Sequence, residues 1–316
     1  MKKATPPGNS IAVTLGLIGD EWNLLIIRHA IGGARRYNEW RERLGIANSV
    51  LTARLKRLTS AGIFERVAYQ DRPVRHEYVL TAKGRGVWRI LLVIWAWELH
   101  WVPAQRASLE RMRHTTCGEH FEPALACASC GKNTEPHDVA GVFGPSGSYA
   151  RSVPSEKTRR RSTSSEAQGP GLFPETIALI GNRWSAALLA SAFQGARRFT
   201  EFESRLSAPP TIIADRLRTF CGLDVLEAVV ADDRADRSLY HLTKKGRAFF
   251  PVVMVAVDWG ERWFQAPEGP AMIFTHTTCG LRFVPMLTCS NCGAELLGSD
   301  VIVEPPSLRR HRMAAP

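Results

Sequence analysis

The chain has 316 residues, a length that suits two domains of about 100–200 residues each. Its 45% hydrophobic and 22% charged residues are typical of a globular protein with a real core, and its formal net charge of +11 favours a polyanionic partner, nucleic acid before membrane. The longest apolar runs, at 90–97 and 251–257, are far short of the roughly 20 residues that span a bilayer, and no apolar segment follows the basic start. We therefore expect a cytoplasmic, nucleoid-associated protein rather than a membrane or secreted one.

The first 100 residues are predicted to form helices around one strand pair. Apolar periodicity predicts helices at 11–18, 22–31 and 37–44, with Gly32-Gly33 ending the second. Strand-forming runs at 64–69 and 75–80, joined by a turn sequence, precede a long helix from Thr81 to about Trp101. The side chains of the second and third helices that we expect in the core are Leu24, Leu25, Ile27, Ile31, Trp40 and Leu44.

A helix at 50–59, capped by Asn48-Ser49, has the most informative surface. Its core stripe is Leu51, Leu55 and Leu58. The positions that face away are small, hydroxylic or basic, namely Ser49, Ala53, Lys56 and Arg57, with Thr52 on the flank. Such a face suits a DNA major groove, because small residues allow close approach and Lys or Arg can reach guanine edges or phosphates. The element order predicts a winged helix-turn-helix with recognition helix 48–59 and wing 64–80, whose Arg72 and Arg75 we expect at the DNA.

The motifs of the first half recur 162 residues later. GDEW at 19–22 matches GNRW at 181–184, GARRY at 33–37 matches GARRF at 195–199, and LTAKGR at 80–85 matches LTKKGR at 242–247. A constant offset over most of the chain indicates a duplicated domain. The Gly-, Pro- and Ser-rich stretch between the copies predicts a flexible basic linker at 141–172, separating domains at 1–140 and 173–316. We interpret its KTRRR run as a solvated stretch, with a DNA-contacting arm as the alternative.

The second copy differs where the first is expected to contact DNA. Residues 1–140 have 20 Lys+Arg against 13 Asp+Glu, whereas residues 173–316 have 16 against 15. We therefore expect the first copy to dominate DNA affinity, and the second to add pairing geometry, half-site discrimination or effector response. We favour an ion pair of Asp215 with Arg218 over a contact of Asp215 with a cytosine amino group. The recognition helix at 210–221, opened by Pro209-Pro210, presents Thr211, Asp215 and Arg218, and the wing at 226–242 carries Arg234, Arg237, Asp232 and Asp233.

Tryptophans line the last helix of each copy. We interpret Trp95, Trp97, Trp259 and Trp263 as aromatic packing at an interface between the copies. The alternative is a pocket among these four side chains for a small apolar effector.

A Cys/His motif also occurs twice. HTTCG at 114–118 is followed by CASCG at 127–131, and both recur at the same offset, so that His114, Cys117, Cys127 and Cys130 match His276, Cys279, Cys289 and Cys292. The spacing has the form of a zinc ribbon, with a glycine that permits the tight turn after the second ligand of each half and a connecting strand at 121–126 or 283–288. The four ligands of each copy would close one tetrahedral site, which gives two structural zinc ions per chain. A thiol switch and the absence of any ligand are the alternatives; His114 is favoured over His120 because Arg282 occupies the place that matches His120.

The segments GDEWNLLIIRHAIGGARRYNEW, SVLTARLKRLTSAGIFER and YVLTAKGR, with their counterparts in the second copy, resemble the HxlR-type winged-helix regulators of bacteria. The resemblance covers nearly all of both copies. It implies a dimeric DNA-binding transcription factor that pairs through its first and last helices and places its fourth helix in the major groove. In this chain the pairing would form an intramolecular pseudo-dimer that no longer needs a palindromic operator, with a homodimer of chains as the alternative. Some members sense oxidants with a Cys before the first helix, where this chain has Asn9 and Gly171.

The sequence thus predicts a mainly α protein with small β-hairpins, an α+β fold of two winged helix-turn-helix domains, each followed by a small zinc-ribbon-like element. We expect a sequence-specific regulator of transcription that binds double-stranded DNA. The alternative is a protein-interaction adaptor, or an effector-sensing regulator whose second copy no longer binds DNA. The sequence has no Ser/His/Asp, paired-carboxylate or phosphate-loop arrangement, so we do not expect an enzyme.

Overall fold

The first copy begins with the helices and strand pair expected of a winged helix. The computed structural model describes residues 8–72, 74–154, 173–231 and 234–304. Strands β1 (Phe64–Asp71) and β2 (Val74–Leu80) pair antiparallel and form the hairpin of this copy. The helices are α1 (Ser10–Ile18), α2 (Glu21–Ile31), α3 (Tyr37–Leu44), α4 (Asn48–Ser60), α5 (Ala82–Arg85) and α6 (Trp88–Trp101).

Two helix predictions are wrong in detail. The long helix expected from Thr81 to Trp101 is divided into α5 and α6, with Thr81 as the cap that accepts a hydrogen bond from the N–H of Gly84. Gly84 lies against the backbone of Ile63 so closely that a Cβ at this position would come within 2.2 Å of the Ile63 carbonyl oxygen. Asn48 and Ser49 do not cap α4 but lie inside its first turn, and the N-cap residue is Ala47, which makes no side-chain capping bond.

The region after α6 forms three short strands and one short helix. They are β3 (Arg111–His114), β4 (Pro123–Cys127), β5 (Val139–Phe143) and α7 (Tyr149–Ser152). Part of β5 and all of α7 lie in residues that the sequence assigned to the linker; the KTRRR run at 157–161 is outside the described residues.

The second copy repeats this order. Its helices are α8 (Pro174–Ile180), α9 (Arg183–Phe193), α10 (Phe199–Leu206), α11 (Pro210–Gly222), α12 (Lys244–Arg247) and α13 (Phe250–Phe264). Its hairpin pairs β6 (Leu226–Ala231) with β7 (Arg234–Leu242), and the extension contains β8 (Met272–His276), β9 (Pro285–Cys289) and β10 (Val301–Glu304).

Each copy has its core where the sequence places it. Leu51, Leu55 and Leu58 of α4 are completely buried, as is Trp40 of α3, whose indole N–H donates to the carbonyl of Ile26. The matching core of the second copy contains Phe202, Ile213, Leu217 and Phe220. Ile31 is a wrong core prediction, since 43% of it is exposed at the end of α2, and Leu44 is only partly buried.

The two copies pack against each other through their terminal helices. The first helix of the first copy, α1, contacts the last helix of the second, α13; α6 in turn contacts α8 and α13. Two equivalent hydrogen bonds cross this boundary, from the indole N–H of Trp97 to the carbonyl of Lys245 and from that of Trp259 to the carbonyl of Lys83.

The strands of the two extensions are exchanged. The antiparallel pairs are β3 with β10, β4 with β9, and β5 with β8, so each pair takes one strand from each copy. The extensions therefore do not fold as separate ribbons, one per copy, which was the arrangement that we predicted from the sequence.

Among the described helices, none alone has the length and apolar composition to cross a membrane, although α1 and α2, joined at a 78° bend, meet that criterion as a pair by length and composition only.

Candidate nucleic-acid interface and metal centres

The exposed face of α4 is the candidate DNA-reading surface of the first copy. Ser49, Thr52, Ala53 and Lys56 are all exposed on it. The hydroxyl of Tyr37 on α3 lies 3.2 Å from the Thr52 hydroxyl and donates to the backbone carbonyl of Asn48 at 3.0 Å. Tyr37 thus connects the two helices of the helix-turn-helix at this surface, a contact that sequence periodicity did not indicate.

Arg57 does not belong to this exposed face, contrary to prediction. It is half-buried, and its Nη2 donates to the carbonyl of Gly16 on α1 at 2.9 Å. The deviation has a geometric cause: a long arginine side chain at the edge of the buried stripe reaches back over α1 instead of pointing away.

A buried ion pair, missed by the sequence reasoning, holds α4 in place. Asp20 is fully buried and caps α2 by accepting from the N–H of Asn23. Oδ1 of the same carboxylate accepts a hydrogen bond from Arg54 Nε of α4 at 3.0 Å, and Arg54 Nη2 lies 2.8 Å from Oδ2 as an ion pair. This two-point contact fixes the recognition helix against the start of α2. In the sequence, Asp20 of the GDEW motif was the available signal for this ion pair.

The second copy lacks this acid, and its equivalent arginine pairs within its own helix. Asn182 stands at the position of Asp20 and caps α9 by accepting from the N–H of Trp184. Arg216, the counterpart of Arg54, instead forms an ion pair with Asp215 on its own helix. Asp215 also has Arg218 Nη1 at 3.6 Å, which is the pairing that we favoured from the sequence.

The remaining predicted DNA contacts lie on α11 and on the wings. Thr211 and Arg218 are exposed on α11, whereas Asp215 is only half-exposed. Arg72 and Arg75 are exposed at the tip of the β1–β2 wing. Arg234 and Arg237 lie in β7, and Asp232 and Asp233 are outside the described residues.

A further cation, which the sequence did not indicate, lies beside the wing of the first copy. The guanidinium of Arg36, the residue before α3, lies 4.5 Å from the centre of the Tyr69 ring on β1. This cation–π contact places an exposed positive charge between the wing and the helix-turn-helix.

The eight predicted metal ligands form two clusters, but each cluster takes half of its members from each copy. His114 and Cys117 meet Cys289 and Cys292 in the first Cys/His cluster. Cys127 and Cys130 meet His276 and Cys279 in the second Cys/His cluster. The ligand types are as predicted, and the grouping within one copy is wrong. The exchanged strands explain the difference, because β4 ends at Cys127 and runs beside β9, which ends at Cys289.

The distances within the clusters fit a tetrahedral zinc ion. Zinc bonds of about 2.3 Å to sulfur and 2.0–2.1 Å to nitrogen separate neighbouring ligand atoms by about 3.5–3.8 Å. In the first cluster, His114 Nδ1 lies 3.6 Å from Cys117 Sγ and 3.3 Å from Cys292 Sγ, and Cys117 Sγ lies 3.9 Å from Cys289 Sγ. In the second, His276 Nδ1 lies 3.4 Å from Cys130 Sγ and 3.3 Å from Cys279 Sγ. All seven cysteines of the chain are free thiols.

The backbone around each half-site also fits metal binding. Gly118, Gly131, Gly280 and Gly293, which follow the second ligand of each half, have φ between 70° and 75°, a conformation that favours glycine. Burial opposes ionisation of Cys127, but hydrogen bonds from the backbone N–H groups of Ser129 and Cys130 outweigh it and lower the pKa of this thiol. The two histidines are completely buried, and their Nε2 atoms have no hydrogen-bond partner within the described part of the chain.

The four tryptophans proposed for an effector pocket do not share one cavity. Trp95 donates its indole N–H to the carbonyl of Glu110, and Trp97 packs edge-on against Phe249 across the boundary between the copies. Trp259 packs against Phe264, and Trp263 lies beside the ammonium of Lys83. Trp97 and Trp259 thus occupy the interface that the packing interpretation expected.

Comparison with known proteins identifies one family in both copies. The family model for HxlR-like helix-turn-helix proteins matches residues 17–106 and 179–268. The HTH-type transcriptional regulator Rv3095 of Mycobacterium tuberculosis is 38% identical over 138 residues, which cover 44% of this chain and 87% of the relative. The HTH-type transcriptional regulator YdeP of Bacillus subtilis is 33% identical over 28% of this chain and 71% of its own length. A solved structure of a Pseudomonas aeruginosa protein aligns over 39% of this chain and 84% of its own, with 35% identity and a TM-score of 0.32.

Proposed function

The chain belongs to the HxlR-like helix-turn-helix family, and from that premise we propose that it regulates transcription by binding double-stranded DNA with α4 and α11 in successive major grooves. The observation that carries this proposal is the exposed face of α4. Ser49, Thr52, Ala53 and Lys56 lie together on this face, and the opposite side of the helix is fully buried. Arg72 and Arg75 of the wing would contact the flanking phosphates. DNA binding would place the protein at the nucleoid.

We infer that the two copies act as the two halves of an intramolecular pseudo-dimer. The packing of α1 on α13 and of α6 on α8 supports this, because it joins the first and last helices of opposite copies. The three exchanged strand pairs support it further. A homodimer of chains, which would present four recognition helices, is the alternative that measurement of the molecular mass in solution would reveal.

The first copy should supply most of the DNA affinity. Lys56 and Arg218 occupy equivalent positions, 162 residues apart. Arg218 has the carboxylate of Asp215 nearby, whereas Lys56 has no ion-pair partner among the described residues. A neighbouring carboxylate weakens the attraction of a cation to phosphate and repels the phosphate itself. The extreme form of this asymmetry, a second copy that no longer binds DNA and serves effector sensing or protein interaction, is the runner-up function.

Footprinting on genomic DNA, followed by titrations of the recovered site, tests the DNA-binding proposal. Lys56→Ala should weaken binding by about tenfold and reduce the slope of log affinity against log salt by about one, since one phosphate contact is lost. Arg218→Ala should have a smaller effect. Arg106→Ala removes an equal charge from an exposed loop after α6 and serves as the control. Unchanged binding by Lys56→Ala together with loss of binding by Arg218→Ala would contradict the assignment of roles.

We further propose that each Cys/His cluster holds one structural zinc ion. Three sulfurs and one imidazole nitrogen would complete the coordination of zinc and leave no position for a substrate. Because each cluster combines ligands from both copies, a bound ion would act as a crosslink between them. The metal would therefore stabilise the pseudo-dimer as well as the local fold of the extensions.

Two double variants distinguish the exchanged clusters from ribbons formed within each copy. Cys117→Ala with Cys289→Ala removes two ligands from one exchanged cluster, so about one zinc ion per chain should remain. Cys117→Ala with Cys127→Ala removes one ligand from each exchanged cluster, so both ions should be lost or weakly held. Ribbons within each copy require the opposite result. Metal analysis of the purified parent chain, with about two ions expected, is the reference.

A further inference from the structure

A cavity of about 480 Å³ lies between the two copies. Its walls come from α1, β5 and α7 of the first copy and from α9, α13 and β8 of the second. This volume is inside the range of about 300–1,000 Å³ that small-molecule sites have, and about three times that of an engineered apolar cavity of about 150 Å³ that takes up benzene. The apolar side chains that define it include Ile18, Phe193, Val253, Val257, Met272 and Phe274.

The polar groups at the wall are already engaged with the protein. The Tyr149 hydroxyl donates to Gln194 Oε1 at 2.5 Å, a contact that closes the first copy over the second. Arg205 donates through Nη1 to the carbonyls of Ser191 and Gln194. Apart from Arg205, the lining residues are uncharged, so a ligand meets a mostly apolar surface. The hydroxyl of Thr14, another lining residue, is buried against Gly260 of α13, where an added Cβ would come within 2.2 Å of it.

The pseudo-equivalent cavity on the other side of the molecule has a different chemistry. Arg28 and Glu110 form an ion pair in its wall. At the same two positions of the first cavity, 162 residues later, stand Ala190 and Met272. Trp95 in the wall of the pseudo-equivalent cavity is likewise matched by Val257 in the wall of the 480 Å³ cavity. Both members of the ion pair are thus absent together, and an indole is replaced by a smaller side chain, so the first cavity is specialised for uncharged apolar contents.

The cavity also has a direct connection to the second recognition helix. Its lining includes Ala186, Ala187 and Leu189 of α9, and α9 packs against α11. The opposite wall is formed by α1 and β5 of the first copy. A molecule in the cavity would therefore press α9 away from the first copy, or hold it in place, and change how α11 is presented relative to α4.

We propose that this cavity binds an uncharged, largely apolar molecule of two or three rings, and that its occupancy controls DNA binding by the second copy. The second half of the proposal rests on the DNA-binding function proposed above; the first half does not. The site is distinct from the cluster of tryptophans that the sequence suggested, and it belongs to both copies, so it exists only when they are paired.

The neutral three-ring fluorophore N-phenyl-1-naphthylamine is a suitable probe, because its emission rises when it enters an apolar site. We expect saturable binding to the full chain without DNA. Val257→Trp introduces a tryptophan at the position equivalent to Trp95 of the first copy. Ala190→Arg introduces an arginine at the position equivalent to Arg28. Each should weaken the binding at this site by at least tenfold. Leu91→Trp makes a comparable change in the pseudo-equivalent cavity and should leave this site intact.

The result that would overturn the ligand site is probe binding by Val257→Trp and Ala190→Arg that equals that of the parent chain, or no saturable binding by the parent. Probe present during DNA titrations should change the DNA affinity of the parent at least threefold and leave that of Val257→Trp unchanged. An unchanged parent affinity would overturn the regulatory half. Absence of DNA binding under every condition, with probe binding intact, would overturn the DNA-binding function and not the cavity.

Discussion

A buried carboxyl group at the boundary between the copies makes the stability of the protein dependent on pH. Glu98 of α6 is completely buried, and its Oε1 accepts a hydrogen bond of 2.8 Å from the backbone N–H of Thr176 on α8. Burial raises the pKa of this carboxyl to about 7, with a smaller contribution from the nearby charge of Glu175, while the hydrogen bond from Thr176 and the charge of Lys245 act in the opposite direction.

The sign and size of the effect follow from the difference in pKa between the folded and unfolded chain. A carboxyl with a raised pKa binds its proton more tightly when folded, so its contribution is fully present below about pH 4.5 and is lost as the pH rises to about 7. A difference of about 2.5 pKa units corresponds to about 3 kcal/mol, at 1.36 kcal/mol per unit. Above pH 7 the folded protein carries a buried carboxylate, and stability no longer falls on account of this group.

Glu98→Gln tests this reasoning, because the amide keeps an oxygen that accepts from Thr176 and carries no charge at any pH. The unfolding free energy of the variant, relative to the parent, should rise by about 3 kcal/mol between pH 4.5 and pH 7. Urea unfolding at several pH values measures the difference, in which the titration of all other groups cancels. Glu42→Gln, at an exposed position of α3, is the matched control and should show no such trend. A pH-independent difference between Glu98→Gln and the parent would refute the argument.

Two further changes have predictable outcomes. Asp20→Asn, which gives the first copy the residue of the second, should destabilise it by about 3 kcal/mol because Arg54 loses its buried partner, and an unchanged thermal midpoint would contradict this. Removal of metal with a chelator should lower the thermal midpoints of both copies together, because each Cys/His cluster joins them; calorimetry that shows unaltered winged-helix transitions would argue against the crosslink.

The winged helices were predictable because their signals are local. The stripe of Leu51, Leu55 and Leu58 fixes both the helix and its buried side, and α11 begins and ends within a residue of the predicted bounds, whereas α4 begins two residues before the helix predicted at 50–59. The family resemblance based on the same segments is confirmed by the matches to both copies. Periodicity does not resolve residues at the edge of a stripe, however. Arg57 lies at such an edge, and only the position of α1 determines that it turns inward.

The exchange of strands could not be predicted because duplication makes the alternatives equivalent at the level of sequence. His114 and Cys117 are followed in their own copy by Cys127 and Cys130, and the same pair is available as Cys289 and Cys292 in the other copy. Spacing determines which residue types converge on one ion and says nothing about which copy supplies them. The packing of α6 against α13 joins the two copies, and the extensions exchange their strands across this boundary.

At the recognition helix, one difference between the copies is accompanied by a second. Where Asp20 becomes Asn182, Ala53 becomes Asp215, so the arginine of the recognition helix keeps a carboxylate. In a homodimer, each such pair would alter both half-sites and both cavities at once. Fusion of the copies confines each pair to one side, so the second copy can change its DNA face and acquire an apolar cavity while the first keeps the exposed Lys56 face. We therefore expect the two copies to differ in function, with DNA affinity greater in the first copy.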